Sequence, residues 1–146
     1  YIPVQYEPQK FKELDQKLSF KTIIFSHTDQ TPWGKSFLGS IVKDSDWKTV
    51  YIDDFMIVLV RTELVPSMNL KPVDLTKLDP SAYSFDSYHE VARFSYLSYL
   101  RLSIFLAQTG NPQSAEKFAR TGLSLFPESP LGNALFGVNV KNNFFW

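Results

Sequence analysis

The chain has 146 residues, 44% of them hydrophobic and 21% charged, with 15 basic against 15 acidic side chains and no cysteine. Such a composition suits one medium domain or two small ones with a real core, and argues against disorder along the whole length. Balanced charge without a basic run interleaved with aromatics removes the attraction on which nucleic-acid binding depends, and the missing thiols remove disulfides, thiolate chemistry and sulfur-ligated zinc.

From Pro8 to Leu18, Phe11, Leu14 and Leu18 recur at helical spacing among polar residues, which predicts a short amphipathic surface helix. Lys21 to Ser26 (KTIIFS) is apolar on both faces at its centre and predicts a buried strand. Thr31 followed by Pro32 suits an N-cap and first turn; Phe37, Leu38, Ile41 and Val42 form one stripe, so a second helix runs to about Lys43. Trp47 to Ile52 and Phe55 to Arg61 predict two further strands. In this order a crossover makes the first two strands parallel, and the third returns antiparallel through a tight turn. The expected fold class is therefore α/β, with a small mixed sheet and flanking helices over residues 1–63.

Asp53 and Asp54 separate the last two strands. Asp favours turns because its carboxylate bonds nearby backbone N–H groups, so the pair reads as a hairpin corner. Neighbouring strand residues point to opposite faces, and the two carboxylates would converge on one metal or substrate only if the turn aimed them together.

Residues 64–84 carry Pro66, Pro72 and Pro80 without a sustained period and read as a linker or wrapping segment. Residues 85–146 are helical in character. Ser87 to Gln108 is apolar nearly all round, with a narrow polar line at Ser95, Ser98, Arg101 and Gln108, and must be covered on more than one side. Its apolar run, Tyr96 to Ala107, is shorter than the roughly 20 residues of a membrane-spanning helix and contains Arg101, so no crossing is expected. Thr109-Gly110-Asn111-Pro112 reads as a stop and restart; Ala115, Phe118, Ala119, Gly122, Leu123 and Phe126 then follow a helical stripe that Pro127 ends. Ser129-Pro130 caps a third helix with a predicted buried stripe of Leu131, Ala134, Leu135 and Val138.

Two resemblances follow from these residues. The C-terminal segment is similar to a tetratricopeptide repeat, a helical hairpin of about 34 residues, with its start at Tyr96, turn at Gly110, small residues at Ala115 and Gly122, and closing Pro127. It departs from that pattern in carrying Ala119, with Phe118 beside it, where a bulky aromatic is favoured. The segment from Phe20 to Arg61 resembles the end of the extracytoplasmic domain of multi-spanning membrane glycosyltransferases of the protein-mannosyltransferase type. Trp47, Lys48, Val50, Tyr51, Asp53, Asp54, Val60 and Arg61 carry the likeness. In that family the catalytic carboxylate lies in a loop between the first membrane spans and the donor is a polyprenyl-phosphate sugar, so the resemblance assigns no catalytic residue to this chain. The chain begins at Tyr1 without an initiator Met or signal pattern and reads as a piece of something longer.

Ser26, His27, Thr28 and Asp29 follow the first strand, where α/β sheets place ligands. With Thr31 opening a helix and Trp33 beside it, they form the candidate site for an anion or a sugar. A hydrolytic triad is poorly served by His27 lying so close in sequence to Ser26 and Asp29. His89, the only other imidazole, stands far from His27, which gives no metal-ligand cluster. The terminal Phe144-Phe145-Trp146 suits a core or a partner-facing surface. The expected function is a non-catalytic extracytoplasmic domain, periplasmic or at the cell surface, that supports a membrane glycosyltransferase-like protein, positions its acceptor or docks a partner. Its partners are the membrane-embedded remainder of the same polypeptide and a protein or glycan; no nucleic acid, cofactor or metal is expected. The alternatives are a stand-alone tetratricopeptide-type interaction module and a small hydrolase using the Ser26–Asp29 loop.

Overall fold

The computed structural model describes residues 7–85 and 94–141. The protein is mixed α/β, and its contacts divide it into two units, Tyr1–Val73 and Asp74–Trp146.

In the first unit α1 (Pro8–Leu18), β1 (Thr22–Ser26), α2 (Pro32–Ile41), β2 (Trp47–Ile52) and β3 (Met56–Arg61) follow one another as their patterns predict. Strand order departs from the expectation. The sheet runs β1-β3-β2, and both ladders are antiparallel. β1 and β2 do share a direction, but β3 folds back into the gap between them, so the sheet is antiparallel throughout rather than mixed. The cause lies in β3 itself: Ile57, Leu59 and Val60 are all buried, and a strand apolar on both faces gains most at the centre. β1, predicted to be buried, is instead an edge strand, with Ile24 65% exposed and Ile23 the one buried residue along it.

The covered face packs on both helices. Phe25 and Phe11 each bring a ring 5.2 Å from that of Phe37, and Phe11 also lies against Trp47 at 6.3 Å. Leu18, counted in the predicted stripe of α1, is exposed, because the helix closes there with Ser19 in the left-handed region at φ 53°. β2 carries a bulge between Thr49 and Tyr51. Strict alternation from Trp47 and Thr49 would turn Tyr51 inward; the extra residue, Val50, resets the pleat so that Ile52 is buried and Tyr51 faces out. Val73 N–H donates to Thr49 O, tying the following segment to β2.

The second unit opens on two short 3₁₀ turns, Leu75–Lys77 and Pro80–Ala82, followed by α3 (Ser95–Gln108), α4 (Pro112–Leu125) and α5 (Pro130–Lys141). Residues 86–93, the predicted start of α3 with His89, and Phe144-Phe145-Trp146 lie outside the described residues. α3 and α4 form a hairpin through Gly110 at φ 85°. Small residues let them approach closely: a Cβ on Gly122 would lie 2.9 Å from Leu100 Cδ2, and Ser103 Oγ donates to Ala115 O at 2.8 Å. The 3₁₀ turns lie along this hairpin, with Ser114 Oγ donating to Thr76 O and Tyr83 packing on Phe118. In α5, Leu135 is buried as predicted, but Leu131 and Ala134 face out and Gly132 takes the inner position against Leu123; Val138 lies outside the described side chains.

Candidate functional site

The loop from Ser26 to Asp29 is held by local bonds. Ser26 Oγ lies 2.9 Å from Thr28 Oγ1 and donates to Phe55 O at 3.3 Å. Asp29 Oδ1 accepts from Thr31 N–H at 2.9 Å and from Thr31 Oγ1 at 2.6 Å, while Thr31 Oγ1 caps α2 by accepting from Gly34 N–H. The carboxylate of Asp29 thus stands at the start of α2, where an external anion would sit. A Cβ on Gly34 would come within 2.7 Å of it, so glycine makes room for that resident group.

The same local motif occurs twice more. Asp74 accepts from the N–H and hydroxyl of Thr76, and Asp79 from those of Ser81, each opening a 3₁₀ turn. An Asp two residues before Thr or Ser is therefore a turn-starting device throughout this chain. Trp33 is half-buried on the first turn of α2.

His27 is 1% exposed and turns away from its neighbours toward the β2–β3 corner. Its N–H donates to Phe55 O at 2.9 Å, and its Nε2 lies 2.7 Å from Asp53 O. A carbonyl offers only an acceptor, so Nε2 carries the proton. Burial pushes the His27 pKa below its ordinary value, outweighing the hydrogen bond to Asp53 O and the charges of Asp53 and Asp54. The ring is therefore neutral near pH 7.

At the corner, Asp53 Oδ1 accepts from Phe55 N–H at 2.8 Å and Met56 N–H at 2.7 Å, and Oδ2 accepts from Tyr51 Oη at 2.7 Å. Burial pushes the Asp53 pKa up, but these three donors and the nearby His27 outweigh it and hold the carboxyl below its usual value. Asp54 is buried beside it. Among the described residues no group of His, Asp and Glu is arranged to hold a metal ion, and no helix is long and apolar enough to cross a membrane.

Sequence reasoning missed one cluster. Arg61, at the end of β3, donates from Nε to Phe20 O at 3.1 Å and from Nη2 to Asp15, and its Cζ lies over the Trp47 ring, 4.4 Å from the centroid. Asp15 also accepts from Phe20 N–H at 3.1 Å. The only signal was an Asp on the apolar side of α1, since nothing local links positions 46 residues apart.

Comparisons with models of protein families, with curated proteins and with solved structures return no match.

Proposed function

We propose that this chain is a non-catalytic supporting domain, exposed on the extracytoplasmic side of a membrane glycosyltransferase-like protein and serving to position its acceptor or dock a partner. One observation supports the reading. Five of the residues that carry the likeness help hold the hairpin together: Trp47 lies under Arg61, Tyr51 and two backbone N–H groups satisfy Asp53, and Val50 forms the bulge. A motif whose side chains are engaged in architecture suits a scaffold, and its recurrence in a family would then reflect shape rather than reaction chemistry.

The gene upstream of the Tyr1 codon tests the relation. Several apolar segments of roughly 20 residues are expected there; a polar upstream region would end this reading. In the full-length protein, Asp53→Asn and Asp54→Asn are expected to leave glycosyl transfer within about twofold once folded protein is matched, whereas lost turnover at equal abundance would give these carboxylates a chemical role.

A second reading, a tetratricopeptide-type interaction module, draws support from the close α3–α4 seam at Ser103, Ala115 and Gly122. It requires further repeats of about 34 residues in the neighbouring sequence.

A further inference from the structure

The Arg61 cluster borders a cleft of about 550 Å³ within the first unit, formed by the end of α1, the start of β2 and the residues after β3. That volume falls in the size range of small-molecule sites. Its architecture is set before any ligand arrives. The Arg61 guanidinium is fixed by Trp47 beneath it, by Phe20 O at Nε and by Asp15 at Nη2, while Nη1 lies 3.8 Å from Asp46 Oδ2, beyond hydrogen-bond length. Nη1 therefore keeps donors for a ligand in the cleft that Arg61 lines. Along another part of the lining, the half-buried rings of Phe11 and Phe20 stack 6.1 Å apart and offer an apolar edge.

Charge narrows the ligand class. Lys12, Lys21 and Arg61 line the cleft together with Asp15, Asp44, Asp46 and Glu63. An anion entering would meet the carboxylates, and a cation would meet the guanidinium and ammonium groups. Vicinal hydroxyls suit both, since each accepts from Arg or Lys and donates to a carboxylate, and the C–H face of a sugar ring suits Phe11 and Phe20. We propose that this cleft binds a neutral oligosaccharide, with Arg61 as the fixed donor and Asp46 and Glu63 as acceptors at the rim. The inference uses the cleft alone and goes beyond the supporting role proposed above, on which it does not rest.

The test is an amide and Arg side-chain NMR titration of the 146-residue chain with maltotriose, cellotriose, chitotriose and mannotriose, alongside a trigalacturonate and spermidine as charged probes. At least one neutral trisaccharide is expected to give saturable shifts confined to residues 11–21, 44–47 and 61–64, with a Kd on the order of 1 mM. Asp46→Ala and Glu63→Ala, both on exposed side chains, are expected to weaken binding about fivefold each while leaving the remaining spectrum unchanged. The Arg61 Nε–H resonance is expected to shift on binding. No saturable shift from any neutral sugar, shifts centred elsewhere, tighter binding of a charged probe, or unchanged affinity in both rim variants would each overturn the proposal. It would do so without bearing on the membrane relation, which the upstream gene sequence decides.

Discussion

Asp53 and His27 meet at the corner of the hairpin, and each has a titration that can be read out. The Asp53 carboxylate accepts three hydrogen bonds and ties both ends of the turn. Asp53→Ala is expected to destabilise the chain by about 1–3 kcal/mol in urea unfolding, and Asp53→Asn by less, because one acceptor oxygen remains. His27 carries a pKa below 6.5 in the fold. As pH falls through 6.5, the unfolded chain takes up a proton that the folded chain refuses, so the stability from His27 is complete above that pH and shrinks below it. Asp53 acts lower: its folded pKa lies under 3.8, and its contribution is lost only as pH falls through that range. Urea midpoints at about pH 7.5 and about pH 5.5 should therefore differ in the parent and converge in His27→Gln; an equal drop in both would exclude His27 as the source. The corner itself was legible, because Asp-Asp between apolar runs is turn chemistry. That the turn would receive His27 was not, since a ring 26 residues away reaches it only through the pairing of β1 with β3.

At the scale of elements, glycine separates two kinds of position. A Cβ on Gly122 would strike Leu100 Cδ2 at 2.9 Å and the Tyr96 backbone oxygen at 3.1 Å, so Gly122→Val is expected to cost about 1–3 kcal/mol and to lower the thermal midpoint. Gly39, inside α2, has nothing within 4 Å of its would-be Cβ; Gly39→Ala is expected to be neutral or to stabilise by up to about 1 kcal/mol through helix propensity. Equal effects of the two substitutions in thermal unfolding would contradict the close approach of α3 and α4. Helix starts were readable because Thr31-Pro32 and Ser129-Pro130 act locally, each hydroxyl accepting from the first turn; at Asn111 the position was right but Pro112 alone marks the start, since the Asn111 amide donates back to Thr109 instead of capping α4. The bulge at Val50 left no such mark. Trp47 to Ile52 reads as plain alternation until Leu59 and Val58 are seen opposite Thr49 and Tyr51.

At the scale of the whole molecule, the chain divides after Val73 into units with separate cores, one around Phe37, Trp47 and Leu59, the other around Leu100, Phe105 and Phe118. Expressed separately, residues 74–146 are expected to keep their helical circular dichroism and unfold cooperatively, and residues 1–73 to fold with lower stability, as a short three-stranded unit does. Loss of helix in the isolated second unit would show that its core is incomplete alone. The α/β class, the principal helices and strands, and the caps at Thr31, Gly110 and Ser129 could be read from spacing and from hydrogen bonds of two to four residues, whereas the Asp-x-Thr and Asp-x-Ser turns of residues 74–82 lay in a segment that read only as a linker. Folding set β3 between β1 and β2, turned Ile24 outward and brought Asp15, Trp47 and Arg61 together. The physical reason is that strand order and long-range pairs are chosen by which apolar surfaces leave water together, a competition among distant segments that no local pattern encodes.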